Sequence, residues 1–137
     1  MNRLSALLLL FIICLTGCSG NALPQTSASE ASLGLKYKQI SQKEALEMMA
    51  KDDGHIIVDV RRQDEYDAGH IPGAILIPNE SIEKDRPKKL PDLDQIILIY
   101  CRSGRRSKEA SEKLANMGYT NIYEFGGIIT WPGETVK

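Results

Sequence analysis

A chain of 137 residues holds one hydrophobic core, and its 42% apolar and 26% charged content is that of an ordinary globular protein. The formal net charge is −1. With no basic excess and no interleaved aromatic stripe, the composition argues against a nucleic-acid binder.

The N-terminus differs from the rest. Arg3 precedes an almost wholly apolar run, Leu4 to Leu15, followed by Thr16, Gly17 and Cys18. A charged start, a short apolar core and small residues before a cut site describe an export signal. The run is short for a membrane span, which needs roughly 20 residues. Leu15-Thr16-Gly17-Cys18 resembles a bacterial lipobox, which implies a diacylglyceryl group on Cys18 and removal of residues 1–17 as the signal. An uncleaved anchor, or a plain signal with an accidental cysteine, are the other readings. With Cys18 lipidated, the mature domain has one thiol, Cys101, and no internal disulfide. In an oxidising compartment such a thiol is either buried and inert or reactive for a purpose. Residues 18–35, rich in Ser, Ala and Gly, read as a flexible tether spanning roughly 25 Å. The folded domain is expected over residues 36–137, exported and held by its lipid outside the cytoplasm.

A short strand within Lys36–Ile40 leads to Ser41-Gln42-Lys43-Glu44, which fits a capping box with Ser41 as N-cap. Ala45, Leu46, Met48 and Met49 follow at helical spacing. Ile56 to Val60 is a β-branched run of the kind buried on both faces of a parallel sheet. The next stretch, from Arg61, is a short helix closed by Gly69, and Ile75 to Pro78 is a second short strand. Polar Ser81 to Lys89 has room for another short helix before Pro91. Gln95 to Tyr100 is the strongest strand signal. Ser107 to Met117 forms a helix stopped by Gly118, Asn121 to Phe125 a last strand, and the segment ending at Trp131 a turn or short helix. Alternating strands and helices predict a single α/β domain, its mainly parallel central sheet flanked by helices on both faces. Ligands of such sheets bind beyond the carboxyl ends of the strands, where Cys101 stands.

If Cys101 to Arg106 curls round the sulfur, loop N–H groups converge on it, and a helix starting near Ser107, capped by that residue, adds its positive end. Arg102, Arg105 and Arg106 raise the potential at the rim. Each term favours thiolate over thiol and attracts a small anion. The plainer reading is a small buried hydrophobe beside solvated arginines. His55 is expected at the surface, and His70 in a hydrogen-bonded structural role. Glu65 and Tyr66 fit helix packing and surface. Two histidines and one available cysteine lack metal-site spacing, so no metal is expected.

The stretches IIVDVRRQDEYDAGHIPGAILIP and ILIYCRSGRRSKEASEKLANMGYTNIYEFGG, with Trp131, resemble a single-domain rhodanese, a sulfurtransferase. The resemblance runs from about Ile40 to Val136. It implies that Cys101 is the nucleophile that becomes a persulfide, and that Arg102, Ser103, Gly104, Arg105 and Arg106 complete the active loop around the anionic sulfur. The implied donor is thiosulfate or a similar small anion, the acceptor cyanide, a thiol or a protein, with no cofactor. Arg61 is a further candidate for facing substrate, while Asp59 organises the region beneath the loop. Cysteine phosphatases use a loop one residue longer, with arginine where Ser107 stands here. A non-catalytic or carrier module, taking sulfur from a partner protein at the membrane surface, is the alternative from another class.

Overall fold

The computed structural model describes residues 36–137; the expected signal, Cys18 and the whole of the expected tether lie outside the described residues. Five strands form one parallel sheet: β1 (Lys38–Gln39), β2 (Ile56–Asp59), β3 (Ile75–Leu76), β4 (Ile96–Cys101) and β5 (Asn121–Gly127), in the order β1-β5-β4-β2-β3. Helices α1 (Gln42–Met49), α2 (Gln63–Ala68) and α3 (Arg105–Asn116) connect them, with single turns of 3-10 helix at Asn79–Ser81 and Ile128–Thr130.

Strand β4 is central because Ile97 and Ile99 can face one side while Leu98 and Tyr100 face the other, and all four are buried. Ile97, Ile99 and Cys101 pack with Val58, Val60, Ile122, Ala110 and Leu114 beneath α3. Leu98 and Tyr100 pack with Ile57, Phe125 and Ala45 beneath α1. Helices therefore cover both faces, and the thiol of Cys101 belongs to the α3 side.

Local signals carry the helix boundaries. Ser41 Oγ accepts from Glu44 N, and the Glu44 carboxylate accepts from Ser41 N at 2.7 Å, the two halves of a capping box. Gly69 closes α2, and Gly118 follows α3 with φ 101°. The helix expected within Ser81–Lys89 does not form; the only helical turn nearby ends at Ser81. Ile82 and Leu90 anchor this segment in the core as isolated buried residues. Without apolar residues at helical spacing between them, the segment has no face to bury, and Pro87 interrupts it.

Candidate active site

Cys101 is the last residue of β4 and is fully buried. Only Arg102, Ser103 and Gly104 separate it from α3, which begins at Arg105, two residues before the expected start at Ser107. The cap is Gly104 itself, left-handed at φ 105°, a conformation a side chain would strain. That backbone turn aims the Gly104 N–H at Cys101 Sγ, 3.0 Å away. The sulfur thus sits where an amide donor and the positive end of a 12-residue helix meet.

Ser107, within the first turn of α3, is not the cap. Its hydroxyl lies 3.0 Å from the Gly104 carbonyl and 2.6 Å from Glu124 Oε1, so it ties the start of α3 to β5. The same strand supports the loop from below. Register with β4 slips by one residue between Ile99↔Glu124 and Cys101↔Gly127, beside Gly126 at φ 90°. A Cβ on Gly127 would lie 2.1 Å from the Arg102 carbonyl oxygen and 2.5 Å from Ser103 Cα. Gly127→Ala must therefore push the loop off its seat. We expect turnover through Cys101 to fall about 10²-fold with little change in far-UV circular dichroism, since angstrom-scale misplacement costs that much; unchanged turnover would show that the seat does not matter.

A polar cleft of about 550 Å³ opens over the loop, lined by Arg62, Glu65, Glu80, Arg102, Ser103, Arg105 and Arg106. The three loop arginines are not equivalent. Arg106 donates to both oxygens of Glu65, at 2.7 and 2.8 Å. Arg105 pairs with Glu109 one helical turn on. Arg102 is exposed and has no carboxylate partner among the described residues.

Glu65, expected to serve helix packing and surface, instead spans two elements. Its Oε2 also accepts from Arg62 N at 3.2 Å, capping α2, while its carboxylate holds Arg106 of α3. The Arg106 hydrogen bonds hold Glu65 down at about 2, well below its ordinary 4.5, against the opposing effect of burial. A depressed folded pKa contributes stability that is fully present above about pH 4.5 and is lost as pH falls through about 2. Unfolding free energy measured from pH 6 to pH 2 should therefore fall less steeply in Glu65→Gln than in the wild type; equal slopes would contradict the pairing. Sequence gives little sign of this pair, whose members are 41 positions apart.

Arg61 does not line the cleft, contrary to the expectation that it could face substrate. Its guanidinium is buried against Asp59, 2.6 Å from Oδ2, and donates to the Gly69 carbonyl at 2.7 Å. Asp59 also accepts from Arg61 N at 2.9 Å and is fully buried beside Tyr100. The pair braces the strand ends under the loop. His70 is structural as expected: its ring stacks on Tyr66 at 3.8 Å, with Nδ1 3.1 Å from the Tyr66 carbonyl. His55 is not a bare surface residue, since its Nδ1 lies 2.7 Å from Asp53 Oδ1 and its side chain is largely covered.

A buried cysteine at a strand end, an amide on its sulfur, a helix starting behind it and an arginine-rich rim agree with one family. The model of the rhodanese-like domain matches residues 41–132. The chain belongs to that family. This rhodanese-like domain is 36% identical to the thiosulfate sulfurtransferase GlpE of Pseudomonas entomophila over 107 residues, 74% of this chain and 94% of that protein. It is 37% identical to the thiosulfate sulfurtransferase PspE of Escherichia coli over 71 residues, 52% of this chain and 68% of that one. A solved rhodanese with anions from E. coli superposes with a TM-score of 0.56 at 34% identity, covering 61% of this chain and 98% of the other.

Proposed function

We propose that the domain is a sulfurtransferase that carries sulfane sulfur as a persulfide on Cys101. The observation that carries this reading is the Gly104 N–H held 3.0 Å from Cys101 Sγ at the start of α3. It is a donor fixed in advance where negative charge rests in the thiolate and returns as Cys101 leaves the persulfide in the second half-reaction. In the first half-reaction the thiolate attacks the outer sulfur of thiosulfate. A bond from Sγ to that sulfur forms, the S–S bond of thiosulfate breaks, and sulfite leaves with the bonding pair. In the second, cyanide or a thiolate attacks the outer sulfur of the persulfide and Cys101 leaves as thiolate. No proton need move in either step, in keeping with the absence of a histidine from the loop. Arg102, which has no carboxylate partner among the described residues, is the residue we assign to the sulfonate end of the donor.

Covalent transfer through one nucleophile is ping-pong. Initial rates over a grid of thiosulfate and cyanide concentrations should give parallel double-reciprocal lines. Intersecting lines would mean that both substrates are bound together, against a free persulfide.

We further propose that the domain is exported and held at a bacterial membrane by lipid on Cys18, a reading supported by the Leu15-Thr16-Gly17-Cys18 stretch and the tether after it. Cells expressing the full chain should incorporate radiolabelled palmitate into it, and Cys18→Ala should abolish the label. Equal labelling of both would reject the assignment.

A further inference from the structure

The cleft over the active loop is less positive than its arginines suggest. Arg105 is matched by Glu109, Arg106 by Glu65, and Arg62 by Asp64 at 3.2 Å. Two lining charges then have no ion pair among the described residues, Arg102 and Glu80. Every guanidinium of the cleft thus has a carboxylate to set against it, and one of those carboxylates, Glu80, is exposed to whatever enters.

Glu80 has a firm mount. It sits in the single 3-10 turn Asn79–Ser81, where Asn79 is buried. Asn79 N donates to the Val60 carbonyl at 3.0 Å, just past β2, and its Nδ2 donates to Glu109 Oε2 of α3 at 2.9 Å. Lys113, also of α3, donates through Nζ to the Asn79 carbonyl at 2.9 Å. The turn is therefore tied to both elements that carry the active loop, and it holds the Glu80 carboxylate at the rim. Arg106 links that rim to the sulfur. Its pKa is raised, chiefly by the hydrogen bonds to Glu65 and against burial, with smaller Coulombic contributions from Cys101 and from Glu80. One guanidinium thus feels both the reacting group and the rim carboxylate. A carboxylate in this place repels an arriving anion in proportion to the charge the anion carries.

We propose that Glu80 is a specificity residue that selects the sulfur donor by charge, disfavouring a doubly charged donor relative to a singly charged one. This role rests on the sulfurtransferase reading and belongs to its donor half-reaction. Thiosulfate is the doubly charged case, and an alkyl thiosulfonate is a singly charged counterpart. With the thiosulfonate, the Cys101 thiolate attacks the outer sulfur and a bond from Sγ to that sulfur forms. The S–S bond of the donor breaks, and a sulfinate leaves with the bonding pair. The bonds made and broken match those of the thiosulfate reaction, so the two donors differ chiefly in the charge that meets Glu80.

The test is the second-order rate constant for persulfide loading of the full chain, followed by intact mass at low ionic strength, with thiosulfate and with methanethiosulfonate. Glu80→Gln should raise it about fivefold for thiosulfate and about twofold for methanethiosulfonate, because Coulomb energy scales with the donor's charge. Glu80→Lys should raise both again by about the same factors. In about 0.5 M salt the gains should largely vanish. Glu47→Gln removes an exposed carboxylate of α1, outside the cleft, and should change neither rate. A disturbance of the loop would alter both donors by one factor, with no such order in charge. Equal factors for the two donors, or no gain with thiosulfate, overturn the role of Glu80 while leaving sulfur transfer intact. Failure of the wild type to load from either donor overturns the sulfurtransferase reading and this role with it.

Discussion

Cys101→Ser should lower thiosulfate:cyanide sulfur transfer by roughly 10³-fold or more, to the level of the uncatalysed exchange. A serine oxygen fits the space of the sulfur and can still accept from the Gly104 N–H, so the loop keeps its shape. What is lost is the atom that can hold a second sulfur. Thiocyanate release is the readout, with thermal unfolding as the control. The Tm should move by a few degrees at most, because the change replaces one small buried group by another. A variant that retained a tenth of the activity would show that sulfur transfer does not pass through this residue.

The largest expected effect on stability lies beneath the loop. Asp59→Ala leaves Arg61, only 6% exposed, with the Gly69 carbonyl as its remaining partner. Breaking a buried pair in this way typically costs about 3–5 kcal/mol. For a domain of this size that is a fall in Tm of roughly 15–30 °C. Adding Arg61→Met should recover much of the loss, because the stranded charge is removed as well. Urea unfolding of the three proteins measures both effects. A loss below about 1 kcal/mol for Asp59→Ala would mean that water reaches the guanidinium and the pair is not the brace described here.

Much of the fold was legible because its signals are local. The apolar run before Cys101 was the strongest strand signal, and Ser41 with Glu44, Gly69 and Gly118 marked helix ends through chemistry confined to a few residues. Cys101 itself stood out as one thiol between a strand and a glycine-containing arginine loop. The remainder depends on groups far apart in sequence. The start of α3 was placed too late because its cap is the backbone of Gly104, and Ser107 spends its hydroxyl on Glu124, 17 positions away. Arg61 looked available for substrate because nothing local shows that it is spent on Asp59 and the Gly69 carbonyl. Glu65 looked like surface because its partner, Arg106, comes from another element. The arginine-rich loop likewise read as uniformly positive, whereas carboxylates of α2 and α3 occupy two of its three guanidinium groups.

Whether Cys101 holds sulfur decides what the domain does. Intact mass of the protein after incubation with thiosulfate, beside Cys101→Ser treated alike, measures this directly. A gain of about 32 Da that cyanide removes as thiocyanate, absent from the variant, is the predicted result of a covalent nucleophile. No gain in the wild type, or an equal gain in both proteins, would contradict it.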